Sequence, residues 1–465
     1  MVSDLSVTEQ LANYAAGVAF DDLPGEVVHA AKRAILDSLG CSIGGSRMAA
    51  GRLIQEFYEE IGGKGQARVL ASGRRLPLLH AAYINAALAN LLDFDDSLGE
   101  GHLGSTIVPP VVSATAAYPT SGQGVIAAVV AGYEVSARIG TAIRPSPERF
   151  RTVRGLGTFQ VFGTAAALGR LLELDEHTMA SAFGIAGANA PVPSVYKEGF
   201  DQRPVAWVKN NFGWAAQGGV LGVLLAKQGF HGHPAFLDGE RGFWRMAGSD
   251  RCDFQEMITG LGREYRILNN SFKPYSCCRY HHSSLDAVHG LLRDHELTAR
   301  DIRDIHVRSI WRISEHMSRE PQDLIDAQYS LPYQIAGHVL GRAARFDWML
   351  TTALSDPEIL AMARLVRYSQ DDEHEGQFQR DRISGSTVTL TTSRTSHVAT
   401  ATCAWGSPQR PIGDADLEQK FIDLAGPVLG DEPARAMAGL VWELERIDNV
   451  DMALGRISLN MPRHG

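Results

Sequence analysis

Three stretches of the chain are apolar on nearly every side at helical spacing: "LPLLHAAYINAALANLLDF" (76–94), "GQGVIAAVVAGYEVSARIGTAI" (122–143) and "VFGTAAALGRLLEL" (161–174). A helix with no polar face has to be enclosed by other helices. Three of them predict a layered helical body, and the small residues Gly163, Ala165, Ala166, Ala167 and Gly169 would let backbones approach closely. Further helices are marked by punctuation. Ser6 or Thr8 caps "SVTEQLANYAAGVAF", Pro24 opens and Gly44-Gly45 closes "PGEVVHAAKRAILDSLGCSIGG", and Asp175 caps "DEHTMASAFGIAGANA".

Near residue 265 the texture changes. "DIRDIHVRSI" alternates as a strand does, and the Thr- and Val-rich "SGSTVTLTTSRTSHVATATCAW" reads as a hairpin. Helical patterns lie between them, in "SLPYQIAGHVLGRAA" and "DPEILAMARLV", and the polar run "SQDDEHEGQFQRDR" (369–382) reads as a solvated loop. Helix returns in "DADLEQKFIDLAGPVLG" and "PARAMAGLVWELERI". A chain of 465 residues is too long for one core. The expected fold is mainly α: a large all-helical domain at 1–267, completed by 406–465, with a smaller α+β lid domain at 268–405 inserted before the C-terminal helices.

Several function classes are disfavoured. A formal charge of -9 argues against nucleic acid as a partner, because that needs many cations on phosphates. No window of about 18 uninterrupted apolar residues suggests a membrane span, and "MVSDLSVTEQLANYAAG" does not read as a signal peptide. The five cysteines (Cys41, Cys252, Cys277, Cys278, Cys403) lack CxxC spacing, which fits a cytoplasmic location and argues against structural zinc or an iron–sulfur cluster. No nucleotide fingerprint, GxSxG or HExxH occurs.

Four stretches set polar groups in apolar surroundings. "LLDFDDSLGEGHLGSTIVPP" carries Asp93, Asp95, Asp96 and His102, without the oxygen pattern of a calcium loop or a full set of zinc ligands. "WVKNNFGWAAQGGVLGVLLAKQGF" places Lys209 just before a helix, where it opposes the helix dipole and calls for an anionic ligand or a carboxylate partner. "SFKPYSCCRYHHSSLDAV" holds Lys273, Arg279, His281 and His282 at the domain join, with Cys277-Cys278 suited to packing. "RTVRGLGTFQVFG" has glycines but no phosphate-loop spacing.

Taken in order, these blocks resemble the MmgE/PrpD family, which includes 2-methylcitrate dehydratase, cis-aconitate decarboxylase and iminodisuccinate epimerase. The resemblance rests on "PGEVVHAAKRAILDSLGCSIGG", "YINAALANLLDFDDS" with "GHLGSTIVPPVV", "GTAAALGRLLELDEHTMASAFGIAG", "WVKNNFGWAAQGGVLGVLLAKQGFHG", "FKPYSCCRYHHSSLDA" and "DLEQKFIDLAGPVLG". It implies a helical domain and a lid with the site between them, a homodimer, no metal or other cofactor, and a small polycarboxylate substrate. The site positions it implies are Asp93, Ser97, His102, Lys209 and Lys273, with His282 at the motif histidine. Departures are Asn90 and Arg154 where members often carry histidine, and Trp214 where arginine is frequent.

The expected activity is that of a cofactor-independent lyase, a dehydratase or decarboxylase. The alternative is an epimerase of an amino- or imino-dicarboxylate. Each must stabilise negative charge next to a carboxylate, so preorganised cations are required. Lys209, Lys273 and Arg279 are the candidates, and Arg154 is a further substrate contact. His102 is expected to move the proton, Asp93 to orient it, and His282 to oppose it as acid or base. Asp95 and Asp96 are expected to cap and solvate the turn.

Overall fold

The computed structural model describes residues 5–99, 101–153, 157–193 and 203–458. The three all-apolar stretches form helices Leu78–Leu91, Gly122–Ala142 and Gln160–Leu171, each deep in the interior. Gly122–Ala142 is long and apolar enough to cross a membrane, yet it lies inside the protein core. Close backbone approach is visible where it was expected. A Cβ at Gly163 would stand 2.7 Å from Ser136 Cβ, and one at Gly45 would stand 2.1 Å from the Leu88 carbonyl oxygen. The second contact clamps helix Gly25–Gly45 against helix Leu78–Leu91, whose C-terminal end feeds the aspartate cluster.

Caps follow the sequence. Ser6 forms a reciprocal capping box with Glu9, and Asp175 accepts the Thr178 N–H. A helix at Leu103–Ala114 was not anticipated, because Pro109 and Pro110 lie inside it. Tight packing on all sides holds it, for every residue in it is buried. Proline there removes main-chain donors, a cost that burial has to offset.

The apolar interior falls into two main clusters. One draws on residues 11–272 and again on 412–457, so the C-terminal helices close the first body. The other spans residues 275–390 and packs around a four-stranded sheet ordered Val366–Gln370, Asp304–Ser309, Ser386–Thr391, Ser396–Ala401. Asp304–Ser309 pairs parallel with Val366–Gln370 and antiparallel with Ser386–Thr391, and the last two strands form the expected hairpin. The protein is thus mainly α with a small sheet-containing domain.

One sequence expectation is corrected. Residues 369–382 are not a loop: Val366–Gln370 is a strand and Asp372–Asp381 a helix capped by Asp371. His374 and Phe378 turn inward from that helix, an apolar signal too sparse to show among the charges.

Lys420, in helix Asp414–Leu429, ties the parts together. Its buried ammonium donates to Asp37 Oδ1 at 2.6 Å, to the Phe94 carbonyl at 2.6 Å and to the Lys273 carbonyl at 3.0 Å. Removing one partner of a buried pair strands the other charge and costs about 3–5 kcal/mol. Lys420→Met should lose that much stability in urea unfolding, and Asp37→Asn with Lys420→Met should recover part of it.

Candidate active site

Helix Leu78–Leu91 stops where the chain turns left-handed: Asp93 has φ +48°, a conformation that Asp tolerates better than most residues. The turn sends its carboxylate inward, where it is nearly inaccessible. Asp93 Oδ1 lies 3.4 Å from Lys209 Nζ and 3.3 Å from Lys273 Nζ. Lys273 also donates to the Asp93 carbonyl at 2.8 Å, and the Tyr329 hydroxyl reaches Oδ1 at 3.4 Å. Asp93 Oδ2 has no hydrogen-bond partner among the described residues.

Burial alone would raise the Asp93 pKa, but Lys209, Lys273 and His102 outweigh it and hold the carboxyl well below its usual range. The lysines diverge. Burial pushes both toward neutrality. For Lys273 the charges of Asp93 and Asp95 reverse this and raise its pKa, whereas Lys209, with Lys273 as a like-charged neighbour, stays lowered. Lys209 also donates to Gln328 Oε1 at 2.9 Å, and Gln328 in turn donates to the Leu91 carbonyl at 2.7 Å. The carboxylate partner that a lysine before a helix called for is therefore Asp93.

His102 precedes helix Leu103–Ala114, and its ring packs 5.7 Å from that of Phe212. Its ion-pair partner is Asp95 rather than the expected Asp93: Asp95 Oδ1 lies 3.3 Å from His102 Nδ1, while Asp93 is near enough only for His102 to help hold its pKa down. Asp95 is fully buried and held by Ser105 Oγ at 2.5 Å and Asn90 Nδ2 at 3.0 and 3.1 Å, while Asn210 donates to Asn90 Oδ1 at 2.8 Å. Asp96 is buried too. It accepts from Tyr133 OH at 2.5 Å, Asn270 Nδ2 at 2.6 Å and the Gly104 N–H at 3.0 Å. Burial, together with Asp37, raises its pKa to about 7. Neither residue is solvated, but Asp96 does cap the first turn of helix Leu103–Ala114 through the Gly104 N–H. Among the described residues no group of three or more His, Cys, Asp or Glu side chains is placed to hold a metal ion.

A cleft of about 310 Å³ opens above this network, between the helical body and the sheet-containing domain. Asp93, Ser97, His102, Lys273 and Arg279 line it, so five expected residues come together. Ser97 is fixed by paired backbone bonds to Ser271 at 2.8 and 2.9 Å. Lys209 is not a lining residue; it lies behind, 5.1 Å from the Tyr329 ring centroid. His282 is not a lining residue either. It is fully buried, its Nε2 3.2 Å from the Cys277 carbonyl and its Nδ1 3.4 Å from Arg279 Nη1. With Nε2–H donating to the carbonyl, Nδ1 is left to accept from Arg279. Burial first, and then Arg279, push the His282 pKa well down and keep it neutral. That geometry makes it a support for the guanidinium rather than an opposing acid or base. Arg154 lies outside the described residues.

Sequence reasoning missed Arg144, Arg312, Arg382, Tyr329 and His316, which also line the cleft. It also missed the Asn210–Asn90–Asp95 chain beneath His102. No motif marks the lining residues, which come from elements far apart in sequence. Cys278 lines the cleft as well, and burial, then Asp93, push its thiol up to about 12, so it is a protonated packing group there. The ensemble presents fixed cations and an imidazole to whatever enters: it can hold anionic groups and move a proton.

Asp93→Asn keeps the left-handed turn but leaves two buried lysines without their counter-charge, which should cost about 3–5 kcal/mol at pH 7. The depressed Asp93 pKa makes its contribution present above the unfolded value near 4 and lost as pH falls below it. Urea unfolding of wild type and Asp93→Asn should therefore converge as pH drops below about 4.

The chain matches both halves of one family model: the MmgE/PrpD N-terminal domain over residues 9–255 and the MmgE/PrpD C-terminal domain over residues 275–446. It is 27% identical to a cis-aconitate decarboxylase of Aspergillus terreus, over 96% of this chain and 95% of that protein. It is 24% identical to the cis-aconitate decarboxylase of Homo sapiens, over 96% and 93% respectively. Two matched domains in order, spanning most of its length, place the chain in the MmgE/PrpD family.

Proposed function

We propose that the protein is a lyase that removes CO₂ from a small unsaturated di- or tricarboxylate such as cis-aconitate, using its own side chains. The observation that carries this reading is the cleft floor, where Asp93 and Lys273 line the cavity and Lys209 stands behind them against Asp93. Lys273 and Arg279 present positive charge to a polyanion in the cleft. The names and full-length coverage of the relatives support the choice of decarboxylation.

In this scheme Lys273 and Arg279 hold the carboxylates that stay, with the Ser97 hydroxyl beside them. The bond to the departing carboxylate breaks, and CO₂ leaves without its electron pair. The pair spreads over the neighbouring double bond toward a retained carboxylate, where fixed cations stabilise the transition state. His102 delivers one proton to carbon and regains it from solvent, so substrate plus H⁺ gives product plus CO₂. Asp95 supplies the negative charge under Nδ1 while the ring is an imidazolium.

A second reading, epimerisation of an amino- or imino-dicarboxylate by two-base proton exchange, is favoured by one feature. A second imidazole, His316, enters the same cleft from the sheet-containing domain. Incubation in D₂O separates the two. Decarboxylation releases CO₂ and leaves one deuterium in the product, whereas epimerisation washes deuterium into recovered substrate with no carbon lost. Release of CO₂ from cis-aconitate or a related unsaturated acid is the expected outcome. His102→Asn should lower kcat by roughly 10²–10⁴-fold with the fold intact. Normal kcat in that variant would remove His102 from the proton path.

A further inference from the structure

Gln328 ends helix Leu324–Gln328 of the sheet-containing domain and is almost wholly buried. Three of its groups cross to other parts of the chain. Its main-chain carbonyl accepts the Cys278 N–H at 3.0 Å, its side-chain Oε1 accepts from Lys209 at 2.9 Å, and its Nε2 donates to the Leu91 carbonyl at 2.7 Å. Leu91 is the last residue of the helix that leads into the Asp93 turn, and Cys278 lies in the stretch from Lys273 to Arg279. One residue therefore touches the helix end that carries Asp93, the lysine behind Asp93, and the segment that carries the cleft cations.

The orientation of the amide is fixed by its partners. The Leu91 carbonyl can only accept, so Nε2 must face it and Oε1 is left to face Lys209. Turned over, the group would set two acceptors against each other at Leu91 in the buried interior, whatever charge Lys209 carries.

Lys209 needs such a partner. Its Nζ lies nearer to Gln328 Oε1 than to Asp93 Oδ1, which is 3.4 Å away. Burial, with the like charge of Lys273, pulls its pKa down against Asp93. An amide oxygen aimed at the nitrogen favours the charged form and so acts alongside Asp93. Against burial, the charges of Lys209 and then Lys273 hold the Asp93 carboxyl well below its usual range.

We propose that Gln328 is a positioning residue: through it the sheet-containing domain holds Lys209 as an ammonium against Asp93 and so sets the charge on the cleft floor. Gln328 does not line the cleft; it acts through Lys209 and Asp93. Those two residues belong to the helical body, so the floor is complete only with the two domains packed together. The role in turnover deepens the lyase reading and rests on it. The control of Lys209 does not.

Two variants test that control in opposite directions. Gln328→Met keeps the bulk and removes the acceptor, whereas Gln328→Glu keeps an oxygen at Lys209 and adds a charge. In ¹³C-lysine-labelled protein, with the Lys209 signal assigned by its loss in Lys209→Met, the Lys209 titration should move to lower pH in Gln328→Met and to higher pH in Gln328→Glu. Loosened packing alone would admit water and move both variants upward, toward an ordinary lysine. An upward move in Gln328→Met, or the same titration in all three proteins, would overturn the proposal. In turnover assays on the substrate that wild type decarboxylates, Gln328→Met should lower kcat by roughly 10–10²-fold. An unchanged kcat there would refute the role in turnover. Absence of turnover in wild type would instead count against the lyase reading, with the titration still standing.

Discussion

The site depends on one buried carboxylate placed between two buried ammonium groups. Lys209 and Lys273 are each almost wholly removed from water, which for an isolated lysine would drive the proton off. Asp93 offsets that penalty, and it can do so only because the chain turns left-handed at the end of helix Leu78–Leu91. The compensation is unequal: Lys273 feels both Asp93 and Asp95, which raise its pKa, whereas burial and the charge of Lys273 keep that of Lys209 lowered. An anionic substrate would add a counter-charge from the cleft side.

The same interaction joins the two domains. Asp93 and Lys209 belong to the helical body, Lys273 to the strap leaving it, and Tyr329 and Gln328 to the sheet-containing domain. Lys420 locks the strap from beneath by capturing the carbonyls of Phe94 and Lys273. Arg279, six residues past Lys273, is then set by His282 and the Trp405 carbonyl on the cleft wall. The cations are thus fixed before any ligand arrives, which is what electrostatic stabilisation of a transition state requires.

Much of this was legible in sequence where the signal is local. Helices apolar on all sides have one physical solution, and the strand alternation and Thr-rich hairpin were equally direct. The lysine before helix Phe212–Lys227 was correctly read as needing an anion. What failed was non-local. The charge density of "DFDDS" suggested two solvated aspartates, yet Asp95 and Asp96 are buried because Ser105, Asn90, Tyr133 and Asn270 satisfy them. Tyr133 and Asn270 lie far off in the chain, and nothing in the spacing of Asn90 and Ser105 within the same block marks them as partners. The pairing of His102 with Asp95 rather than Asp93 likewise follows from the direction of the turn, which spacing does not encode.

The central claim is that the preformed cationic floor receives the carboxylates of a small polyanion. Calorimetric titration with propane-1,2,3-tricarboxylate, a saturated analogue that cannot react by this route, tests it most directly. The account predicts one binding event per chain for wild type and a loss in Lys273→Met of at least about tenfold, or 1.4 kcal/mol. Equal affinity in the two proteins, or no binding to wild type, would contradict it.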